Sequence, residues 1–216
     1  MAQIFHRNTN IISKISILVG LLVSVLTVWL LPEFNRSPYI TQTGIPREQP
    51  IPFSHKHHVN ELGIDCRYCH TDAEKSSFAG MPSTHTCMTC HSQIRVDSPV
   101  LEPVRTSYKT GYSLEWLRVH DLPDFVYFNH SIHLHKGIGC VTCHGRVDQM
   151  PVVWKEHSLD MEWCLDCHRE PELFIQPRES VFNSAWQTPE NQLELGQKLV
   201  NEYNVKPSLD CNICHQ

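Results

Sequence analysis

The chain has 216 residues, a formal net charge of −5 and 18 basic against 23 acidic side chains. No basic excess is available to engage a phosphate backbone, which excludes nucleic acid as a partner. Ten cysteines, fifteen histidines and fourteen prolines in a chain with few long periodic stretches argue for metal or cofactor chemistry on sparse regular structure.

Residues 11–31 are almost wholly apolar, interrupted by Ser13, Lys14, Ser16, Ser24 and Thr27. As a helix they span about 31 Å, enough to cross a bilayer core of about 30 Å. Trp29 falls where an interfacial aromatic belongs, and Pro32 is expected to end the helix. Residues 1–31 therefore read as an uncleaved N-terminal transmembrane signal anchor. A cleaved signal peptide is the alternative, but no small-x-small site follows Leu31. Arg7 and Lys14 ahead of the span predict a cytoplasmic N-terminus. Ser13, Ser16, Gly20 and Ser24 form a small-residue stripe suited to helix packing or to lipid exposure. Residues 32–52, with Pro32, Pro38, Pro46, Pro50 and Pro52, read as a semi-rigid stalk.

Beyond the stalk, Cys-x-x-Cys-His recurs five times. The copies are Cys66-Arg-Tyr-Cys69-His70, Cys87-Met-Thr-Cys90-His91, Cys140-Val-Thr-Cys143-His144, Cys164-Leu-Asp-Cys167-His168 and Cys211-Asn-Ile-Cys214-His215. This is the attachment pattern of c-type haem. Two thiols three positions apart reach the two vinyl groups on one porphyrin edge, and the next histidine sits under the iron as its proximal ligand. A zinc ribbon needs no histidine after each pair, and a disulfide scaffold spaces its cysteines irregularly. The five copies use all ten cysteines. Five haem c groups are therefore expected, with His70, His91, His144, His168 and His215 as proximal ligands. About 185 residues beyond Leu31 must hold them, roughly 37 per haem, too few for an ordinary apolar core. The expected fold class is a multihaem cytochrome c: loops and short helices wrapped around five haems, little or no sheet, and one N-terminal transmembrane helix. Thioether attachment takes place outside the cytoplasm, so the haem-bearing part is expected on the periplasmic face of a bacterial inner membrane.

Phe53-Ser-His55-Lys-His-His58 precedes the first motif, and Phe128-Asn-His130-Ser-Ile-His133 precedes the third. Each of those motifs is followed by another, which implies a duplicated two-haem module at 53–91 and 128–168 with a connector at 92–127. Residues 169–216 carry the fifth motif. Within them a helix is expected near 189–203, with Thr188 as N-cap, Pro189 at its first position and Leu193, Leu199 and Val200 packing.

Ten histidines remain after the proximal ligands. His55 and His58, like His130 and His133, lie three apart on one side of a helical turn, so each pair suits distal ligation of two neighbouring irons. His120, which introduces the second module, is a further distal candidate, and His157, Met81 and Met150 are weaker ones. His57, His85 and His135 sit beside better-placed histidines and read as surface or propionate-contacting residues. His6 reads as headgroup-exposed. Met88 and Met161 read as packing on a haem edge, and Phe53 and Phe128 as packing on porphyrin. Exchanging histidine for methionine raises the potential, so mixed ligation would grade the potentials along the chain.

Phe-Asn-His-Ser-x-His ahead of a haem motif resembles the class III multihaem cytochromes. The fuller set joins the N-terminal helix, Phe-Ser-His-Lys-His-His with Gly-Ile-Asp-Cys-Arg-Tyr-Cys-His, and Val-His-Asp-Leu-Pro-Asp-Phe-Val-Tyr-Phe-Asn-His-Ser. It also includes Cys-His-Gly-Arg-Val-Asp-Gln-Met and Trp-Cys-Leu-Asp-Cys-His-Arg-Glu. Together these resemble the membrane-anchored pentahaem cytochrome subunits of bacterial alternative complex III. The resemblance implies an electron-transfer subunit, not an enzyme on its own, within a quinol:electron-acceptor oxidoreductase. Its implied partners are an iron–sulfur subunit, quinol-binding integral membrane subunits, a monohaem cytochrome, and a soluble acceptor or terminal oxidase.

Two other functions compete. A multihaem reductase of nitrite or hydroxylamine needs an iron with an open distal position. No motif here has lysine in place of the proximal histidine, and candidate distal ligands outnumber the irons. A stand-alone quinol dehydrogenase needs a haem close to the membrane, and a stalk before the first motif argues against it.

Overall fold

The computed structural model describes residues 4–215; the first three residues of the expected anchor and Gln216 of the C-terminal segment lie outside them. The chain divides into two compact units, one up to Gln42 and one from Thr43 onward.

The first unit is helix α1 (Thr9–Arg36) followed by the single turn α2 (Pro38–Thr41). The 28 residues of α1 extend about 42 Å, with a mean hydropathy of 2.4 over their most apolar window and none buried. By length and composition it is able to cross a membrane. Three of its hydroxyls are satisfied within the helix: Ser16 donates to Ser13 O, Ser24 to Gly20 O and Thr27 to Val23 O. Pro32 does not end the helix, contrary to expectation. A proline removes one N–H and crowds one carbonyl a turn earlier, and here the helix continues through it for four more residues. Pro38 ends it instead. The residue before a proline is driven out of the helical region, and Ser37 is extended at φ −65°, ψ 152°.

The second unit is built from short helical pieces. Five of them carry the Cys-x-x-Cys-His motifs: α3 (Cys66–Cys69), α4 (Thr84–His91), α7 (Cys140–His144), α8 (Met161–Arg169) and α10 (Cys211–Cys214). The others are α5 (Glu102–Thr110), α6 (His130–His135) and α9 (Gln192–Glu202). A single π-helical turn spans Lys56–Glu61. Pairing of extended chain among the described residues is confined to three isolated bridges, Thr43 with Lys155, Val126 with His215 and Ile138 with Ile175. Several starts are fixed by side-chain caps. Asp65 accepts from Arg67 N–H, Asn129 from Ile132 N–H and Asp160 from Trp163 N–H.

Residues 43–52, read as stalk, belong to this unit. Gly44 N–H donates to Lys155 O at 2.7 Å, and the Gln49 amide both donates to Leu117 O and accepts from Leu117 N–H. Ile51 is buried. Prolines leave such a segment little conformational freedom to lose, so few contacts suffice to dock it.

The apolar core proper is small. Ile175, Leu199 and Tyr203 are buried together, with Leu195, Val200 and Val205 against them. Helix α9 supplies most of it but starts later than the sequence suggests, with Asn191 rather than Thr188 at the N-cap. Leu193 faces solvent and Leu195 takes its place, because Leu195, Leu199 and Tyr203 follow one another at four-residue spacing on one face. The core reaches the second module through Gly137 at φ +82°. A Cβ there would lie 2.5 Å from Gln176 O, so only glycine admits the turn between α6 and α7.

Candidate haem-binding site

In each motif the two thiols sit three apart on one helical turn and so share one face, the spacing that two thioether bonds to one porphyrin edge require. Burial pushes the Cys140 and Cys143 thiols up to about 12 and Cys167 to about 11, and it raises Cys66, Cys69, Cys87 and Cys164 as well. Raised in this way, these thiols lack the thiolate character of an activated nucleophile. No cluster of three or more His, Cys, Asp or Glu converges on a common point among the described residues.

The histidines are anchored in a recurrent way. His70 Nδ1 bonds to Gly80 O, His91 to Ile94 O, His168 to Ser208 O and His215 to Phe125 O, at 2.8–3.3 Å. Among the distal candidates, His58 Nδ1 bonds to Ser54 O, His130 to Ser77 O and His133 to Asn129 O, at 2.7–2.9 Å. A carbonyl only accepts, so each of these seven rings carries its proton on Nδ1 and keeps the Nε2 lone pair for a metal.

Ring separations pair the histidines. His58 lies 6.3 Å from His91, His130 6.3 Å from His144 and His133 6.2 Å from His168, centroid to centroid. Two imidazoles on opposite faces of one metal, each bonded at about 2 Å, hold their centroids roughly 6 Å apart. His55 lies among His70, His58 and His120; burial first, and then those neighbours, push it down to about 4. Its Nδ1 is buried without a partner. The same causes push His144 down to about 3, with His120, His130, His70 and His55 as the neighbours. Neutral imidazole is the form that binds iron.

The two halves of the duplication share one geometry. Phe53 stacks on His58 at 4.4 Å and meets His55 edge-on at 4.9 Å; Phe128 stacks on His133 at 4.4 Å and meets His130 edge-on at 4.8 Å. Each phenylalanine thus fixes both rings of its pair.

His120 packs edge-on against His144 at 4.2 Å, too close for the two to share one iron, and its Nε2 is buried without a partner. His157 stacks on Trp163 at 5.2 Å and lines a cavity of about 270 Å³ with Val141, Thr142 and Trp186. Met81 is half-exposed beside Gly80, whereas Met150 is sealed in packed protein at 1% exposure. Of the histidines read as bland, His57 is paired with Glu61 at 2.7 Å, His135 spends its Nε2 on Glu74 O, and His85 packs on Tyr108. The long-range acceptors Gly80, Ser77 and Ser208 carry no sequence signal. Ser54 and Asn129 do, since each lies four residues before its histidine on a helical turn.

The sequence matches two family profiles: "Cytochrome c7 and related cytochrome c" over residues 126–216 and "Class III cytochrome C family" over residues 35–110. Each covers less than half of the chain, and between them they take in all five motifs. The fold is that of a multihaem cytochrome c. Covalently bound haem c and electron transport go with it, and the chain's donor set fits that group. Over 128 residues the chain is also 41% identical to "Menaquinone reductase, multiheme cytochrome c subunit" of Nitratidesulfovibrio vulgaris. The match covers 58% of this chain and 56% of that protein, so the chain spans little more than half the length of the curated relative.

Proposed function

We propose that this chain is the electron-transfer subunit of a membrane-bound quinone-linked oxidoreductase and holds five haem c groups on ten cysteines. His70, His91, His144, His168 and His215 would be the proximal ligands. His58, His130 and His133 would stand opposite His91, His144 and His168, and by the duplication His55 would stand opposite His70. His120, packed against His144, would be a further distal candidate at the junction of the modules, with Met81, Met150 and His157 as weaker ones. Bound haem supplies reversible one-electron exchange between ferrous and ferric iron. The chain orients the imidazoles through their Nδ1 bonds and leaves no proton transfer to perform. The observation that carries this reading is the placement of the histidines: seven imidazoles have Nδ1 tied to a backbone carbonyl, and three histidine pairs stand at the spacing of two ligands on one metal.

The ligand assignment has a direct test. In the oxidised holo protein, His58→Ala or His133→Ala is expected to produce one high-spin haem per chain by EPR. His57→Ala or His135→Ala should leave the spectrum low-spin. A high-spin signal from His135→Ala would mean that the wrong histidine of the turn has been assigned.

We further propose a single-pass topology, with α1 in the inner membrane, the N-terminus cytoplasmic and residues 43–216 periplasmic. The partners would be quinone-binding membrane subunits, an iron–sulfur subunit, a monohaem cytochrome and a soluble carrier or terminal oxidase. The motif set supports an alternative complex III type of assembly, in which electrons leave quinol. The match to a menaquinone reductase subunit favours a second reading, in which electrons run from a periplasmic donor into menaquinone. A redox titration of the purified holo chain separates the two. Potentials rising above that of the quinone fit quinol oxidation, and potentials wholly below it fit menaquinone reduction. The docking of residues 43–52 onto the haem-bearing unit removes the stalk that argued against a stand-alone quinol dehydrogenase. Reduction of the chain by menaquinol in liposomes without other subunits would establish that function and displace both complexes.

A further inference from the structure

Which attachment motifs are neighbours in space follows from contacts that join them in pairs. The first and second motifs touch through Tyr68 Oη and Thr89 Oγ1, each the third residue of its motif, at 2.7 Å. Cys87 also lies close enough to Cys69 to raise its thiol. The third and fourth are joined by helix α6, whose His130 faces His144 and whose His133, one turn on, faces His168. The fourth and fifth are joined where His168 Nδ1 donates to Ser208 O, two residues before the N-cap of α10. Cys164 in turn senses Cys214.

The join between the two modules is between their first motifs. The dipeptide Val181-Phe182 clasps both: Cys140 N–H donates to Val181 O at 3.0 Å, and the Arg67 guanidinium lies 4.6 Å from the Phe182 ring centroid. Beneath the clasp, His55 and His70 of the first module lie among His120, His130 and His144. Cys66 and Asp65 adjoin Cys140. His58, in contrast, has His57, His91 and Arg95 for neighbours, with the His91 ring 6.3 Å away.

We propose that the five motifs form one line in the order second, first, third, fourth, fifth, so that redox partners dock at the motifs of His91 and His215. The modules meet first motif to first motif, and the second motif becomes a terminus although it lies inside the sequence. An independent observation agrees. Of the ten cysteines only Cys90 and Cys211 are exposed, one in each terminal motif, while the first, third and fourth motifs have none.

This proposal rests on the five-haem reading, and mass spectrometry of the holo chain tests that reading separately: fewer than five covalent haem additions would defeat it and leave no line to order. The order is tested by changing one distal ligand at a time in the full-length holo protein and following every haem by EPR-monitored titration. Oxidation state at one iron shifts the potential of its neighbours most. His58→Met, at a terminus, is expected to move its own haem and shift one other, whereas His55→Met, at an interior site, shifts two. Two or more shifts from His58→Met, or one from His55→Met, overturns the order. If either variant loses haem by mass, a cryo-EM map of the unsubstituted holo chain decides, and the first haem found at an end of the line refutes the proposal.

Discussion

Replacing Cys140 and Cys143 with serine is expected to cost the protein far more than one haem. The third motif is the junction of the molecule. Its Cys140 N–H bonds to Val181 O, and its His144 is surrounded by histidines of both modules. Its thiols are pushed highest by burial of all the cysteines, to about 12. With so small an apolar core elsewhere, a cofactor buried at this point contributes folding free energy directly, as a structural metal does in a small domain. The paired serine variant should therefore yield chains with at most two or three haems by mass and at least a tenfold shorter half-life under limited proteolysis. The matching change at the fifth motif, Cys211→Ser with Cys214→Ser, should remove one haem and leave the half-life within about twofold. A third-motif variant that keeps four haems and its protease resistance would show that the modules fold independently of their junction.

That contrast marks how far the sequence could be read. The fold class was legible because covalent chemistry fixes Cys-x-x-Cys-His with no help from tertiary context. The twin histidine turns were legible because Phe-x-His-x-x-His recurs, with each histidine pair three apart on a helical turn, whereas the stacking of Phe53 on His58 and of Phe128 on His133 was not. The end of α1 was misread because two prolines compete there; Pro32 costs one hydrogen bond inside a helix with many, whereas Pro38 acts on an end already exposed to unwinding. Residues 43–52 looked like a spacer because proline content reports stiffness and not where a stiff segment docks. The acceptors Gly80, Ser77 and Ser208, and the clasp at Val181-Phe182, are backbone or aromatic contacts across long sequence separations. Nothing local to any of these residues encodes them.

Gly196→Ala is expected to be the most damaging single-methyl change in the chain. Helix propensity alone favours alanine over glycine by about 1 kcal/mol in a helix interior. Packing reverses the sign. A Cβ on Gly196 would overlap the Glu172 carbonyl oxygen and lie 2.6 Å from its carbon and 2.8 Å from its Cα, all backbone of the turn Pro171–Leu173. No side chain is there to swing away, so α9 must back off. That movement would stretch the bonds from Gln192 Nε2 to Glu172 O and Ile175 O and open the Ile175, Leu199 and Tyr203 core. Overpacking of this kind costs about 1–3 kcal/mol and sometimes more, and each buried hydrogen bond lost adds about 1 kcal/mol. The net expectation is a loss of about 3 kcal/mol, a fall in Tm of roughly 10 °C for a unit of this size. Gly44→Ala is the control. Its φ of +71° strains alanine, but nothing lies within 4 Å, so it should cost only about 1–2 kcal/mol. Thermal unfolding followed by near-ultraviolet circular dichroism measures both. Equal losses at the two positions would mean that α9 does not seat on the 171–173 turn as closely as the geometry requires.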